Sequence, residues 1–297
     1  MKSVTVVYSP LCVHNGAFLG QLKEWLNGKD IEIHAVPFNR ITTREMEWYR
    51  SAELLDKNDL FKKSVFFDVF FEGKLIDTVP PKKKKIEKEL KVQIQEKERA
   101  ESEEPAKEIS ISEFRDLLFS DQIEWVQIDR TTFHDEMKLC IENYPYGNPP
   151  ERFHQYCIKM KEKVFAEVFT KEDIAGIFAR WQGEVIGLLE VFPREIIRQN
   201  GYLAGSQGKD KDYLTVGCFE VGFGVPRKEM IDELMFHLEA SYPQFHRHLL
   251  EGVGMFEWNI GFTPYWVYDK YGFHRTETII EAIVVMEKMI HERGSEM

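Results

Sequence analysis

Two carboxylates, a phenol and a pair of glycines are the residues of this sequence whose types and neighbours could do chemistry. Tyr268 lies in the run Tyr268-Asp-Lys270-Tyr-Gly272-Phe273. A phenol that ionises near ~10 can give a proton to a thiolate. Gly272 stands where a helix would stop in a left-handed residue, and Phe273 opens the next strand. Glu220 sits among Phe219, Val221 and Phe223, where desolvation would raise its pKa and suit it to act as a base. Glu190 is the alternative base. Phe219-Glu-Val-Gly222-Phe223-Gly224 carries a Gly-x-Gly spacing, and Val225-Pro226-Arg227-Lys228-Glu229 then opens a helix, with Pro226 suited to a first turn. The amides of such a loop favour anions, and Arg227 and Lys228 add positive charge. The same residues admit ordinary readings: a tyrosine packed at a sheet edge, a glutamate on a solvent face, a β-bulge, and two surface cations.

Composition narrows the classes. The 297-residue chain has 39 Lys and Arg against 50 Asp and Glu, so 39 − 50 gives −11. That balance disfavours nucleic acid and anionic membranes as partners. The Lys82–Lys85 run is offset by Glu87, Glu89, Glu96, Glu98, Glu101, Glu103 and Glu104, and reads as a solvated surface. Cys12, Cys140, Cys157 and Cys218 are scattered without a Cys-x-x-Cys pair. This argues for a reducing compartment and against structural zinc. His237, His246 and His248 lack partners for a metal set, so no metal site is expected. No signal peptide is read at the start, no run reaches the ~20 apolar residues of a membrane span, and cytoplasmic is the expectation.

The elements that must position these residues fall into two groups. The order in the first is strand (Ser3–Tyr8), break (Ser9–Gly16), helix (Leu19, Leu22, Trp25 and Leu26 at helical spacing) and strand (Ile31–Phe38). A helix capped by Thr43 follows (Thr43–Leu55), then a hairpin (Val65–Phe71 and Lys74–Val79 around Glu72-Gly73) and a charged helix with Ile86, Leu90 and Ile94. Residues 91–107 have little apolar content and read as a linker. The pattern is then α+β: strand Ile123–Ile128, helices Thr132–Asn143 and Glu151–Phe165, and a break over Tyr144–Pro150 between them. A hairpin (Ile174–Trp181, Val185–Val191) and a long mobile loop (Arg194–Asp212) follow. Strand Leu214–Val221 and helix Arg227–Tyr242 come next. An apolar stretch, Val253–Trp258, then leads into Asn259. The expected domains are 1–95, a charged linker 96–108, and 109–297.

Two resemblances follow from these patterns. Asn259 at a strand end, followed by Tyr268-Asp-Lys270-Tyr-Gly272-Phe273, resembles the late strand–helix–strand unit of the GNAT superfamily of acyl-CoA N-acyltransferases. The element order over about 110–290 is similar to that family's as well. The resemblance implies a mixed sheet flanked by helices, with acetyl-CoA as cosubstrate and a small-molecule or peptide amine as acceptor. It implies Tyr268 as acid and Glu220 as base. Val221, Gly222, Phe223, Gly224, Val225, Arg227, Lys228 and Asn259 would hold the cofactor. The family's loop usually reads Arg/Gln-x-x-Gly-x-Gly/Ala, and here Phe219 takes the first position. A non-catalytic binding or interaction module on a degenerate acyltransferase fold is the alternative. Residues 2–95 resemble the thioredoxin-like fold in element order. Asn15 replaces the second redox cysteine after Cys12, and Val65 stands where the family has a cis-proline, so dithiol exchange is not expected. The fold class expected is α/β and α+β in two domains. The oligomeric state is not legible.

Overall fold

The computed structural model describes residues 2–55, 67–78, 81–95, 108–142, 151–256, 263–280 and 283–290. Two compact units divide the chain. The first takes Met1–Ser102, Pro149–Lys161 and Gln199–Tyr202; the second takes Glu103–Asn148, Glu162–Arg198 and Leu203–Met297. Among the described residues no helix is long and apolar enough to cross a membrane.

The first unit runs β1 (Lys2–Tyr8), α1 (Val13–Leu26), β2 (Ile31–Pro37), α2 (Thr43–Ser51), β3 (Phe67–Phe71), β4 (Lys74–Thr78) and α3 (Lys83–Leu90). Its sheet has the order β2-β1-β3-β4. β1 and β2 are parallel, and the β1–β3 and β3–β4 pairs are antiparallel. The expected element order is present. Glu72 and Gly73 both have positive φ, 52° and 79°, as a two-residue hairpin turn with right-handed strand twist requires.

Three local details differ from expectation. Asn15-Gly16 is not a break, because α1 starts at Val13 with Cys12 as its N-cap. Gly16 and Gly20 instead permit close packing against Phe153, Tyr156 and Cys157 of a later helix. A Cβ on Gly16 would lie 2.8 Å from the Cys157 Cα, and one on Gly20 2.8 Å from the Phe153 ring. These contacts help explain why the first unit extends beyond residues 1–95. The cap of α2 is Thr42, not Thr43. Thr42 and Glu45 form a capping box in which the Glu45 carboxylate accepts from the Thr42 N–H at 2.7 Å. The lysine run starts α3, where Asp77 supplies the missing acid by accepting from the Lys82 N–H at 2.6 Å. Val65 and most of the expected linker lie outside the described residues.

The second unit begins with α4 (Ile111–Phe119), β5 (Glu124–Gln127), α5 (Phe133–Glu142) and α6 (Glu151–Val168), the last shared with the first unit. It continues with β6 (Gly176–Trp181), β7 (Glu184–Pro193), α7 (Arg194–Gln199), β8 (Tyr213–Val221), α8 (Arg227–Ala240) and β9 (Leu249–Met255). β10 (Thr263–Pro264), α9 (Tyr265–Lys270), β11 (His274–Ile280) and β12 (Ile283–Met289) complete it. The sheet order is β11-β12-β9-β8-β7-β6-β5, with β10 also paired to β9. β8 and β9 are parallel neighbours; the rest of the path is antiparallel.

Leu189, Val191, Leu214, Val216, Phe219 and Val221 share one core with Met230, Ile231 and Leu234 of α8 and with Tyr268 of α9. α9 closes as expected. Gly272, at φ +79°, donates to the Asp269 carbonyl at 3.0 Å, and the Phe273 N–H to the Tyr268 carbonyl at 3.3 Å. These two bonds are the pair that ends a helix on a left-handed glycine.

The segment 194–212 is not the long loop that its polarity suggests. Arg194 is fully buried, and its guanidinium bonds Glu251, Asp210 and the Gln207 carbonyl and stacks on Tyr213. Ser206 adds bonds to Glu277 through its N–H and its hydroxyl. Charge pairing fixes this stretch where apolar content could not.

Candidate active site

The central feature of the second unit is a parting of its two parallel strands. β8 and β9 pair only at Tyr213↔Leu249, Leu214↔Leu250 and Thr215↔Glu251. β8 then runs on to Val221 and β9 to Met255. A bulge marks the point of departure. Glu190 faces Cys218 while Val191 faces Val216, so Gly217 is the extra residue. Only glycine fits there, since a Cβ would come 2.3 Å from the Phe192 ring. Bulges bend a strand and increase its twist, and this one falls where β8 leaves β9.

β12 pairs with β9 from Leu249 to Met255. β10, pairing at Thr263↔Gly254 and Pro264↔Met255, must therefore take the β9 edge that faces β8. Among the described residues no strand takes the β8 edge beyond Thr215 on that side. Backbone amides and carbonyls on a strand edge need hydrogen-bond partners, and an extended ligand containing amides can supply them as a strand would.

Tyr268 stands on one side of this parting. Its ring lies on Gly252, where a Cβ would be 2.2 Å away, and packs against Phe219 and Phe273 with centroids 6.2 and 5.3 Å apart. The side chain is only 3% exposed. Burial, the largest influence, raises its phenol above the ordinary range, against a hydrogen bond with the Thr263 side chain that acts to lower it. Cys218 and Glu251 also act on its charge. Tyr271 is held differently, donating to Asp232 Oδ1 at 2.6 Å. Asp232 also receives Lys228 at 3.3 Å and Lys270. Burial would raise the Asp232 pKa, but bonds from Lys270, Tyr271 and Lys228 bring it below the usual carboxylate value.

The opposite face carries the polar groups. Phe219 and Val216 point into the core, so Thr215, Cys218 and Glu220 share the other face. Glu251, fully buried at the last paired position, accepts from Thr215 Oγ1 at 3.1 Å, Arg194 Nη1 at 3.2 Å and the Gly205 N–H at 3.1 Å. Burial still leaves its pKa raised, against the lowering effect of those three partners. Glu220 is half-buried on β8 opposite Leu188. Glu190 is buried on β7 opposite Cys218.

The loop after β8 is anchored at both glycines. Gly222 donates to the Ile186 carbonyl at 3.0 Å, and the Gly224 carbonyl accepts from the Ile109 N–H at 2.7 Å. The Val225 N–H closes a turn on the Gly222 carbonyl at 3.2 Å. Pro226 then starts α8 with no side-chain cap, and the first helical bond is Met230 N–H to the Pro226 carbonyl at 3.0 Å. The first-turn amides of α8 thus receive no side-chain cap and favour an anion, with Arg227 and Lys228 exposed beside them. Phe219, in the expected Arg/Gln position, is buried in the core and can contribute nothing to phosphate binding.

Asn259, expected to hold the cofactor, lies outside the described residues. Phe256 and Trp266 are 41% and 42% exposed and flank Tyr265 with centroids 5.2 and 5.6 Å away. Among the described residues no group of His, Cys, Asp and Glu could hold a metal. Tyr268 packs on Phe219 of β8 and Gly252 of β9, Glu220 lies further along β8 before the 221–228 loop, and Thr215, Glu251 and Arg194 sit together where the two strands last pair. Glu251 was legible in principle, as a lone acid within the apolar run Leu249-Leu-Glu-Gly-Val.

No known protein family's sequence profile matches the chain, and no curated protein matches it. Solved structures similar to it include an aminoglycoside 6′-acetyltransferase type Ii, at 17% identity over 57% of this chain and 99% of that one, with a TM-score of 0.39. The aminoglycoside 6′-N-acetyltransferase from Enterococcus faecium is 14% identical over 57% and 98%, with a TM-score of 0.40. The PaiA N-acetyltransferase from Thermoplasma acidophilum in complex with coenzyme A is 13% identical over 56% and 98%, with a TM-score of 0.36. None of these scores reaches 0.5, and none defines an activity for this chain.

Proposed function

We propose that the second unit is a GNAT-like acyltransferase that moves an acyl group from a CoA thioester to an amine. The observation that carries this reading is the parting of β8 from β9 after Thr215↔Glu251, with an anion-favouring loop at its open end. An acyl-CoA has the matching parts in the matching order: a thioester, an arm with two amides, and a pyrophosphate. The arm would pair with the open edge of β8, and the pyrophosphate would meet the backbone amides of Phe223, Gly224, Arg227 and Lys228 and the side chains of Arg227 and Lys228.

The amine would approach on the face that carries Glu220, which takes its proton. The nitrogen attacks the thioester carbon, the C–N bond forms and the C–S bond breaks. The leaving thiolate then takes a proton from the Tyr268 hydroxyl. Because burial raises that phenol, Tyr268 keeps its proton at neutral pH and holds it ready for the thiolate as the C–S bond breaks. Solvent restores the proton afterwards.

The first unit, with its sheet order β2-β1-β3-β4 and Asn15 in place of a second redox cysteine, is read here as a docking domain, not a redox one. A binding module without turnover is the second reading, favoured by Phe219 in the core and by a Tyr268 hydroxyl already bonded to Thr263.

Thiol release from acetyl-CoA by the full chain, with a panel of diamines, amino acids, aminoglycosides and peptides, separates the two. Amine-dependent release with an N-acetylated product is expected. Acetyl-CoA binding without release from any acceptor favours the binding module.

A further inference from the structure

Phe223 is 64% exposed on a loop that holds it in that position. Gly222 on one side is tied to Ile186, and Gly224 on the other, at φ +75°, is tied to Ile109. The ring therefore projects between two anchored residues, next to the first turn of α8 with its exposed Arg227 and Lys228. Its loop neighbours Val221 and Val225 are packed with the core, so the core does not require this ring. A large aromatic in water beside a candidate site signals a contact made when the site is filled. A flat ring next to cationic side chains and helix amides matches the end of a nucleotide: the base stacks while the phosphates meet the charges.

We infer that Phe223 stacks on the adenine ring of the donor, and that this contact makes the site select CoA thioesters over the same acyl group on a shorter phosphopantetheine arm. The inference rests on the acyl-CoA reading above. It gives the loop two separable jobs. Its backbone receives phosphate, which both donors carry, and its one aromatic side chain reads the base, which only CoA carries. A carrier protein's acyl-phosphopantetheine is then a poor donor.

The test is a calorimetric comparison of acetyl-CoA and S-acetyl-4′-phosphopantetheine on the full chain, with Phe223→Ala and Phe223→Trp. Phe223→Ala is expected to weaken acetyl-CoA roughly tenfold, a usual size for loss of one stacked base. It is expected to leave the phosphopantetheine thioester unchanged, and Phe223→Trp to restore acetyl-CoA affinity. Both substitutions are at an exposed position, and unchanged melting temperatures check that the fold is kept. Equal acetyl-CoA affinity in wild type and Phe223→Ala overturns the adenine contact while leaving the donor site standing. Equal weakening of both ligands overturns it too, because the ring would then act by shaping the loop. If wild type binds neither thioester, the donor site itself fails, and this inference with it.

Discussion

Tyr268→Phe is expected to bind acetyl-CoA as wild type does and to turn over more slowly by roughly 10²–10⁴, the size of a general-acid contribution. The substitution keeps the ring that fills the space over Gly252 and packs on Phe219 and Phe273, and removes only the hydroxyl. It also leaves Thr263 short of one bond, a change of about 1 kcal/mol in stability that a melting curve would register separately from the rate. Tyr271→Phe serves as the comparison, since that hydroxyl serves Asp232 and the lysines around it, and its effect on the rate is expected to be small. Because burial raises the Tyr268 phenol above its ordinary value of ~10, wild type should show no alkaline loss of activity from this residue below that pH. Full turnover in Tyr268→Phe would move the proton donor elsewhere and leave the fold reading untouched.

The second large effect is in the first unit and concerns pH. Asp68 on β3 is 1% exposed, accepts a bond from the Tyr49 hydroxyl at 2.8 Å through Oδ2, and has no partner at Oδ1 among the described residues. Burial raises its pKa from 3.8 to about 7, overcoming the opposing effect of Tyr49. The folded state therefore keeps a proton that the unfolded chain gives up. A group raised in this way contributes stability that is complete below the unfolded value and lost as pH climbs through the folded one. The window is pH 3.8 to about 7, and the loss is on the order of 4 kcal/mol. Asp68→Asn cannot ionise, so its advantage over wild type in unfolding free energy should grow across that window and level off above it. Other carboxylates in the unit titrate as well, which is why the difference between the two proteins is the quantity to measure. A difference that stays constant from pH 4 to pH 8 would show that Asp68 does not ionise while buried.

The legible parts of this fold are those where local rules and packing agree. Gly272 announced the end of α9 because a left-handed residue there suits glycine, and Glu72-Gly73 announced a hairpin for the same reason. The Gly-x-Gly of residues 222–224 gave the loop, but not the bulge at Gly217, whose need for glycine comes from a ring on the neighbouring strand. Gly16 looks like a breaker in sequence and, with Gly20, is a packing residue in space, because the partner segment lies more than 100 positions away. β9 starts at Leu249, four residues before the apolar stretch that announced it, because Glu251 interrupts the pattern. That acid is buried only because Arg194 and Thr215 reach it, and the same arginine turned a polar stretch into ordered structure. Tyr268 and Glu220 could be placed near the same strands from sequence. The parting of β8 and β9 could not, since strand pairing is a property of two segments and of what bends them.

Amide hydrogen exchange on the full chain, with and without saturating acetyl-CoA, tests that parting most directly. The account predicts slower exchange across residues 216–229, the open edge of β8 together with the loop and first turn of α8, with β1 to β4 of the first unit unchanged. Saturating acetyl-CoA that leaves residues 216–229 exchanging at their free rate, or that protects a different part of the chain instead, would contradict it.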